Sequence, residues 1–348
     1  MAKVFATVAV LAVGCVCTAF AANPLGFPSY AQQVEVTYAT EAEAAAATAE
    51  VTPLFGDAPA AFGSRWDDSS PAHLKTAEML ARAGIRGTFF PNGAEGFLEK
   101  TAPRLMALGH AIGNHTTHHP FMMEPSANLL FREILGQRIR AESLADTTLV
   151  SYVSPYGWGG SPDSERLPLI RQILLDTGHY MTSDDPPSTA GVDPKTWVVT
   201  RIFGANDREP DAALFASNLA ARTQLVRDDP SVPRLTFGIH SWCKPEGDDL
   251  QEGWLKGVKS SHSDWWYAND NEYAAYRYEF LNGGVVRSAA KGKTAVFRVT
   301  RFAPAQLGAA VPLSLRISPY RESKCAPFSK GRIYGTKLSV TVDSNLSM

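Results

Sequence analysis

The stretch AAFGSRWDDSSPAHLKTAEMLARAGIRGTFF, residues 60–90, holds an apolar run, an acidic pair, an amphipathic segment and a second apolar run. AAFGSRW reads as a strand. PAHLKTAEMLARAG reads as a helix, with Pro71 in its first turn and Gly84 closing it, and RGTFF reads as the next strand. Two strands joined by a helix make the unit of a parallel sheet. The same rhythm continues downstream. Strand patterns fall at HAIGNH, TLVSYVSPYG, TWVVTRI and RLTFGIH, and helical patterns at AEGFLEKTAPRLMALG, SANLLFREILGQRIRAESLA, SERLPLIRQILLDTG, DAALFASNLAARTQLV and NDNEYAAYRYEFLNG. Alternation over more than 200 residues predicts a parallel α/β architecture, either a barrel or a doubly wound sheet. No Gly-x-Gly-x-x-Gly follows the first strand, which favours the barrel.

The flanks differ. MAKVFATVAVLAVGCVCTAFAAN has one lysine, an apolar run and the small-x-small sequence Ala19-Phe20-Ala21, the layout of a secretory signal peptide over residues 1–21. The run is too short for a stable membrane span. Lipid anchoring at Cys15 is the weaker alternative, because Ala12 stands where a larger aliphatic is usual. Residues 22–57, with the Ala/Glu-rich ATEAEAAAATAE, read as a leader lying against the main domain of residues 58–285. From residue 286 to 348 the pattern becomes strand-only, predicting a small sandwich-like β region. Signal removal leaves Cys243 and Cys325 in an oxidising compartment, where a disulfide is permitted and two thiols are equally compatible with the sequence. The net charge of -2 creates no field for nucleic acid or anionic lipid, and no membrane span is expected in the mature chain.

Polar residues collect where the predicted strands stop. Asp67 and Asp68 follow the first, HTTHH the third, SPYG the fourth and His240 a late one. In α/β barrels the C-terminal strand ends form the active face, so four separate stretches converge on one mouth. On a helical turn His115 and His119, four apart, point to one side, and with a carboxylate from the DD pair they make a ligand set for zinc or a similar divalent metal, cobalt and nickel included. His118 faces elsewhere. The bland alternative, a helix cap at DDSSPAH, is met by Ser69 or Ser70 alone and leaves two adjacent carboxylates unexplained.

At these residues the chain resembles the polysaccharide deacetylases of the NodB-homology type, carbohydrate esterase family four. WDDS (66–69), HTTHH (115–119), SPYG (154–157) and GIH (238–240) stand in the family's order over roughly residues 58–285. The resemblance implies a distorted (β/α)7 barrel and metal-dependent removal of acetyl groups, N- or O-linked, from an acetylated polysaccharide outside the cytoplasm. It implies Asp67 as general base, Asp68, His115 and His119 as metal ligands, His240 as general acid, and the Tyr156 backbone N–H at the oxyanion. Pro155, Trp158 and Trp242, beside the motifs, are expected to line the substrate cleft; Trp265 and Trp266 are expected to pack. Two departures stand out. Val153 occupies the place of the family's base-tuning arginine, for which Arg201 is the expected substitute, and the Asp-x-x-Asp-Trp motif survives only as an echo at Asp193 and Trp197. A barrel that only binds carbohydrate, or one that hydrolyses non-sugar amides, is the alternative reading.

Overall fold

A computed structural model of the protein describes residues 23–93, 96–158, 166–184, 192–318 and 337–342. The expected signal peptide, Cys15 and Cys325 lie outside the described residues.

In chain order the N-terminal segment forms β1 (Ser29–Thr37), α1 (Glu41–Ala46) and β2 (Thr48–Val51). The repeating part follows: β3 (Ala61–Asp67), α2 (His73–Ala83), β4 (Gly87–Phe90), α3 (Phe97–Ala107), β5 (Ala111–Ile112), α4 (Ala127–Ala145), β6 (Ser151–Tyr152), α5 (Arg166–Asp176) and β7 (Met181–Thr182). It continues with β8 (Arg201–Phe203), α6 (Ala212–Asp228), β9 (Arg234–Phe237), α7 (Pro245–Ser261), β10 (Trp266–Tyr267) and α8 (Asp270–Asn282). The C-terminal part comprises β11 (Gly284–Lys291), β12 (Thr294–Phe302), α9 (Pro304–Leu307), β13 (Leu315–Ser318) and β14 (Lys337–Val342).

The parallel sheet runs β5-β4-β3-β9-β8. β3 aligns Ser64–Asp67 with Gly87–Phe90 on one side and Ala61–Ser64 with Arg234–Phe237 on the other. Single parallel bridges continue the circuit. Asn114 pairs with Tyr152, joining β5 to β6; β6 pairs with β7; Met181 pairs with Val198, in the segment that leads into β8. Pairing therefore passes through seven strands and returns to β3, with two joints made by single bridges: a distorted seven-stranded (β/α) barrel. β3 is buried along its whole length, as a strand flanked on both faces must be.

Local chemistry sets the helices. α2 ends where Gly84 takes φ 69°, and the N–H of Ile85 reaches back to the Leu80 carbonyl at 2.9 Å, a Schellman closure. α8 starts on a reciprocal cap between Asn269 and Glu272. α7 escapes the sequence pattern because Gly247, Gly253 and Gly257 dilute its helical signal. Trp66, Phe62, Phe89, Leu235 and Phe237 fill the core against α2, α3 and α7. Among the described residues no helix is long and apolar enough to cross a membrane.

The segment read as a leader is a working part of the C-terminal sheet. β1 lies between β12 and β14 in an antiparallel sheet of order β11-β12-β1-β14, and β2 pairs with β13. Val34, Val36 and Tyr38 alternate inward and meet Ala295, Phe297 and Val299 in a separate small core. The unit is tied to the barrel through α8, where Arg301 bonds Glu279 at 2.9 Å and Thr52 bonds Tyr276 at 3.0 Å.

Candidate active site

Six strands deliver polar groups to one end of the barrel. β3 ends in Asp67 and runs into Asp68; β5 leads to His115; β6 leads to Ser154–Tyr156; β7 leads to Asp184; β8 leads to Asp207; β9 leads to His240. His240 is aligned directly, since it bridges Asp67 in parallel and the Asp67 N–H donates to the Ile239 carbonyl at 2.6 Å. That approach requires Gly238. It sits at φ 98°, and a Cβ there would stand 2.8 Å from the Arg65 carbonyl oxygen and 3.0 Å from the Trp66 ring.

Asp68, His115 and His119 place their ligand atoms within 4.8 Å of one another. The two imidazole Nε2 atoms are 3.1 Å apart, and Asp68 Oδ1 lies 3.4 Å from that of His115 and 3.2 Å from that of His119. Tetrahedral ligands about 2.0–2.1 Å from zinc are about 3.3 Å apart, so this spacing suits one ion. His115 Nδ1 donates to the Val153 carbonyl at 2.9 Å, which turns its Nε2 toward the cluster. The hydrogen bonds from His115 and His119 hold the Asp68 carboxyl far below its ordinary range, so it is ionised. The pairing of His115 with His119 does not come from a helical turn. Residues 115–119 form a bend in which Thr116 (φ 64°) and His119 (φ 54°) are left-handed and the His119 N–H donates to Thr116 Oγ1. His118 is turned away: its Nδ1 meets Glu133 Oε1 at 2.7 Å, and its side chain is 79% exposed.

Left-handed backbone concentrates here. Asp68, Thr116, His119, Tyr156 and Asn206 are all non-glycine residues with positive φ, and each borders the site. Asp68 is held in that conformation by His73. Burial drives the His73 imidazole down to about 3, so it is neutral; its Nε2–H donates to the Asp68 carbonyl at 2.6 Å, and its Nδ1 accepts from Ser241 Oγ at 3.0 Å. Tyr156 follows the buried Pro155, is 70% exposed, and sets its ring edge-on to His119 at 4.5 Å.

Asp67 is buried beside Arg65, two residues earlier on the same face of β3. The Arg65 guanidinium bonds Asp67 Oδ2 through Nη2, and Asp184 Oδ1 and the Ser183 carbonyl through Nη1, the last at 2.6 Å. All three charged side chains are about 5% exposed or less. Asp184 also accepts the Ser154 N–H at 2.7 Å, tying the network to the SPYG loop. Burial pushes the Asp67 carboxyl above its ordinary range against the pull of Arg65, and Asp67 Oδ1 has no hydrogen-bond partner among the described residues. On the adjoining strand end, His240 Nδ1 pairs with Asp207 Oδ2 at 2.7 Å, leaving Nε2 3.6 Å from Asp68 Oδ2. Trp242 stacks on the His240 ring at 3.8 Å and 13°, and is 45% exposed.

Several expectations are corrected. Arg201 opens β8, at the opposite end from the site, and pairs with Asp229 at 2.6 Å; Arg65 is the guanidinium at Asp67. Trp158 is 7% exposed and packs edge-on to Tyr152 in the core, so it does not line the cleft. Asp193 caps a turn and Trp197 is core, whereas the carboxylate that faces Arg65 is Asp184. The Cys243 thiol donates to Asp248 at 2.9 Å; its expected partner, Cys325, lies outside the described residues. Trp265 is buried and stacked on His262, as packing requires. Arg65, Asp184, Asp207 and His73 are the site residues not anticipated. For Arg65 a signal existed: an arginine in an otherwise apolar strand, at i and i+2 with an aspartate.

The architecture and strand-end polar cluster are those of an α/β barrel with its candidate site at the C-terminal strand ends. Residues 58–166, about a third of the chain, match the family model described as Polysaccharide deacetylase, so this segment is similar to that family. No curated protein matches the sequence. Similar solved structures include a peptidoglycan deacetylase from Bacillus subtilis, 16% identical, covering 63% of this chain and 92% of that one with a TM-score of 0.41. A family 4 carbohydrate esterase from Streptomyces lividans in complex with acetate is 14% identical, covering 60% and 92%, TM-score 0.40. A family-four pseudoenzyme from Bacillus anthracis is 13% identical, TM-score 0.44; the match covers 61% of this chain and 64% of that protein, less than two thirds of its length.

Proposed function

We propose that the protein is an exported, metal-dependent hydrolase that removes acetyl groups from a polysaccharide. The observation that carries this reading is the convergence of Asp68, His115 and His119 next to a buried carboxylate on one side and a carboxylate-paired histidine on the other. Export rests on the sequence of residues 1–21.

Asp68, His115 and His119 would hold a divalent cation, zinc by their chemistry, with cobalt or nickel as substitutes. Such an ion, when bound, supplies a Lewis acid that acidifies water and polarises a carbonyl oxygen. The chain's own groups do the rest. Asp67, fixed through Oδ2 by Arg65, keeps Oδ1 free to take a proton from the attacking water. Its raised affinity for protons brings it nearer the operating pH, as a base requires. The backbone N–H of Tyr156, presented by the left-handed turn after Pro155, would donate to the oxyanion. His240, with Nδ1 anchored on Asp207, would deliver a proton from Nε2 to the departing sugar nitrogen or oxygen. Val153 does not disable this scheme, because Arg65 supplies the charge opposite Asp67.

The test is acetate release from acetylated chitin, peptidoglycan and xylan oligosaccharides by the metal-loaded protein, with and without chelator. Release that stops on chelation and returns with added zinc is the expected result. No release from any substrate, with one ion per chain demonstrated, would sink the proposal.

A further inference from the structure

The rim beside His240 carries a charge that neither the proposed chemistry nor the packing uses. Arg208 lies in the loop between β8 and α6, immediately after Asp207, and is exposed. Its guanidinium carbon stands 5.7 Å from the centroid of Trp242, which is itself stacked on His240. Among the described residues Arg208 has no carboxylate partner, although Arg201, Arg234 and Arg65 on the neighbouring strands all do.

Its loop is held. Asn206, left-handed at φ 66°, accepts the N–H of Arg208 at 3.2 Å and that of Glu209 at 3.3 Å through Oδ1. The same turn sends Asp207 inward to His240. A cation over an indole face is steered by the ring quadrupole, so the guanidinium is confined near the mouth while its N–H groups stay open to solvent. Trp242 has one face covered by the imidazole, so the group most available to a ligand on this wall is the arginine. A planar guanidinium is the side chain best matched to a carboxylate, which it binds in a bidentate fork.

We propose that Arg208 is a specificity determinant for an acidic glycan, taking a carboxylate carried by the acetylated sugar or by its neighbour on the leaving-group side. The proposal rests on the reading of the site as a deacetylase and adds the chemical class of the substrate. On that reading His240 marks the side of the departing sugar, and Arg208 stands over the Trp242 ring that stacks on His240. Neutral glycans offer this guanidinium nothing beyond hydroxyl groups.

The experiment uses the full chain and measures both binding and turnover. Affinities are obtained by calorimetry for three sets of matched acetylated oligosaccharides: one with a uronic acid, one with an ether-linked lactate, and a neutral one. Asp67→Asn protein is used so that the ligand survives. The wild-type chain gives kcat/KM on the same sets. The carboxylated ligands should bind about 10-fold more tightly than the neutral one, in keeping with a single charge-assisted contact at an exposed site. Arg208→Ala should abolish that preference and Arg208→Lys should restore part of it. The uronic and lactyl arms show which carboxylate position is read. Equal affinity for charged and neutral ligands, or a preference that survives Arg208→Ala, overturns the proposal. If no ligand is turned over but the charge preference is present and lost with Arg208, the deacetylase reading falls while the acidic subsite stands.

Discussion

Replacing Arg65 by Met isolates the most heavily buried charge interaction at the site. The guanidinium bridges Asp67 and Asp184 and bonds the Ser183 carbonyl. Met fills a similar volume but leaves two carboxylates facing each other out of water. Removing one partner of a buried ion pair typically costs about 3–5 kcal/mol, and a second stranded carboxylate places this site at the upper end. The sign of the pH effect follows from Asp67. Burial raises its folded value above the unfolded one, so the deficit is smallest in acid, where the group is protonated in both states. The deficit grows as pH rises through the folded value. An opposite charge at this distance lowers a carboxyl by about 1–3 units, so its loss should move the acidic limb of the kcat/KM profile up by about that amount. Denaturant melts between pH 5 and 8, together with pH–rate profiles on an acetylated oligosaccharide, read both quantities. Arg65→Lys should recover little, because one ammonium cannot span both carboxylates with a fixed fork. A variant with an unmoved acidic limb and a stability loss under about 1 kcal/mol would refute the reasoning, since neither value is compatible with stripping a buried network.

Three further outcomes are expected. His115→Ala and Asp68→Ala should abolish stoichiometric metal by elemental analysis, whereas His118→Ala, whose ring is already committed to Glu133, should retain one ion per chain. Asp207→Asn should keep the metal but lower kcat about 10–100-fold, through loss of the carboxylate that sets the His240 tautomer, with KM far less affected. Gly238→Ala should cost about 1–3 kcal/mol of unfolding free energy, read by thermal or denaturant melts. It imposes a Cβ on φ 98° against the Arg65 carbonyl, and a cost under a few tenths would contradict the close approach described.

The alternating order of strands and helices was readable because each element carries its own period and its own terminators, as Pro71 and Gly84 do for α2. The convergence of Asp68, His115 and His119 was readable because parallel strands must all end at one face. What escaped was non-local. Arg65 reads as an outward-pointing charge until β3 is known to be covered on both faces, and only then must it find carboxylates. Arg201 misled because strand limits are the least certain feature of a sequence: β8 begins where TWVVTRI was expected to finish, reversing which end of the barrel the arginine occupies. Asp193 and Trp197 imitate a motif by spacing alone. The role of residues 29–51 could not be seen at all, since a strand's partner some 270 residues away leaves no local trace.

That last pairing has a consequence for biogenesis. β1 is a middle strand whose two neighbours, β12 and β14, both follow the whole barrel in chain order. Every barrel strand and helix is synthesised before them, so β1 waits as an unpaired strand until β12 and β14 have followed the barrel. A chain cut short before residue 294 would release a barrel trailing an orphaned sticky strand, an invitation to cross-pairing between molecules and to capture by quality-control proteases.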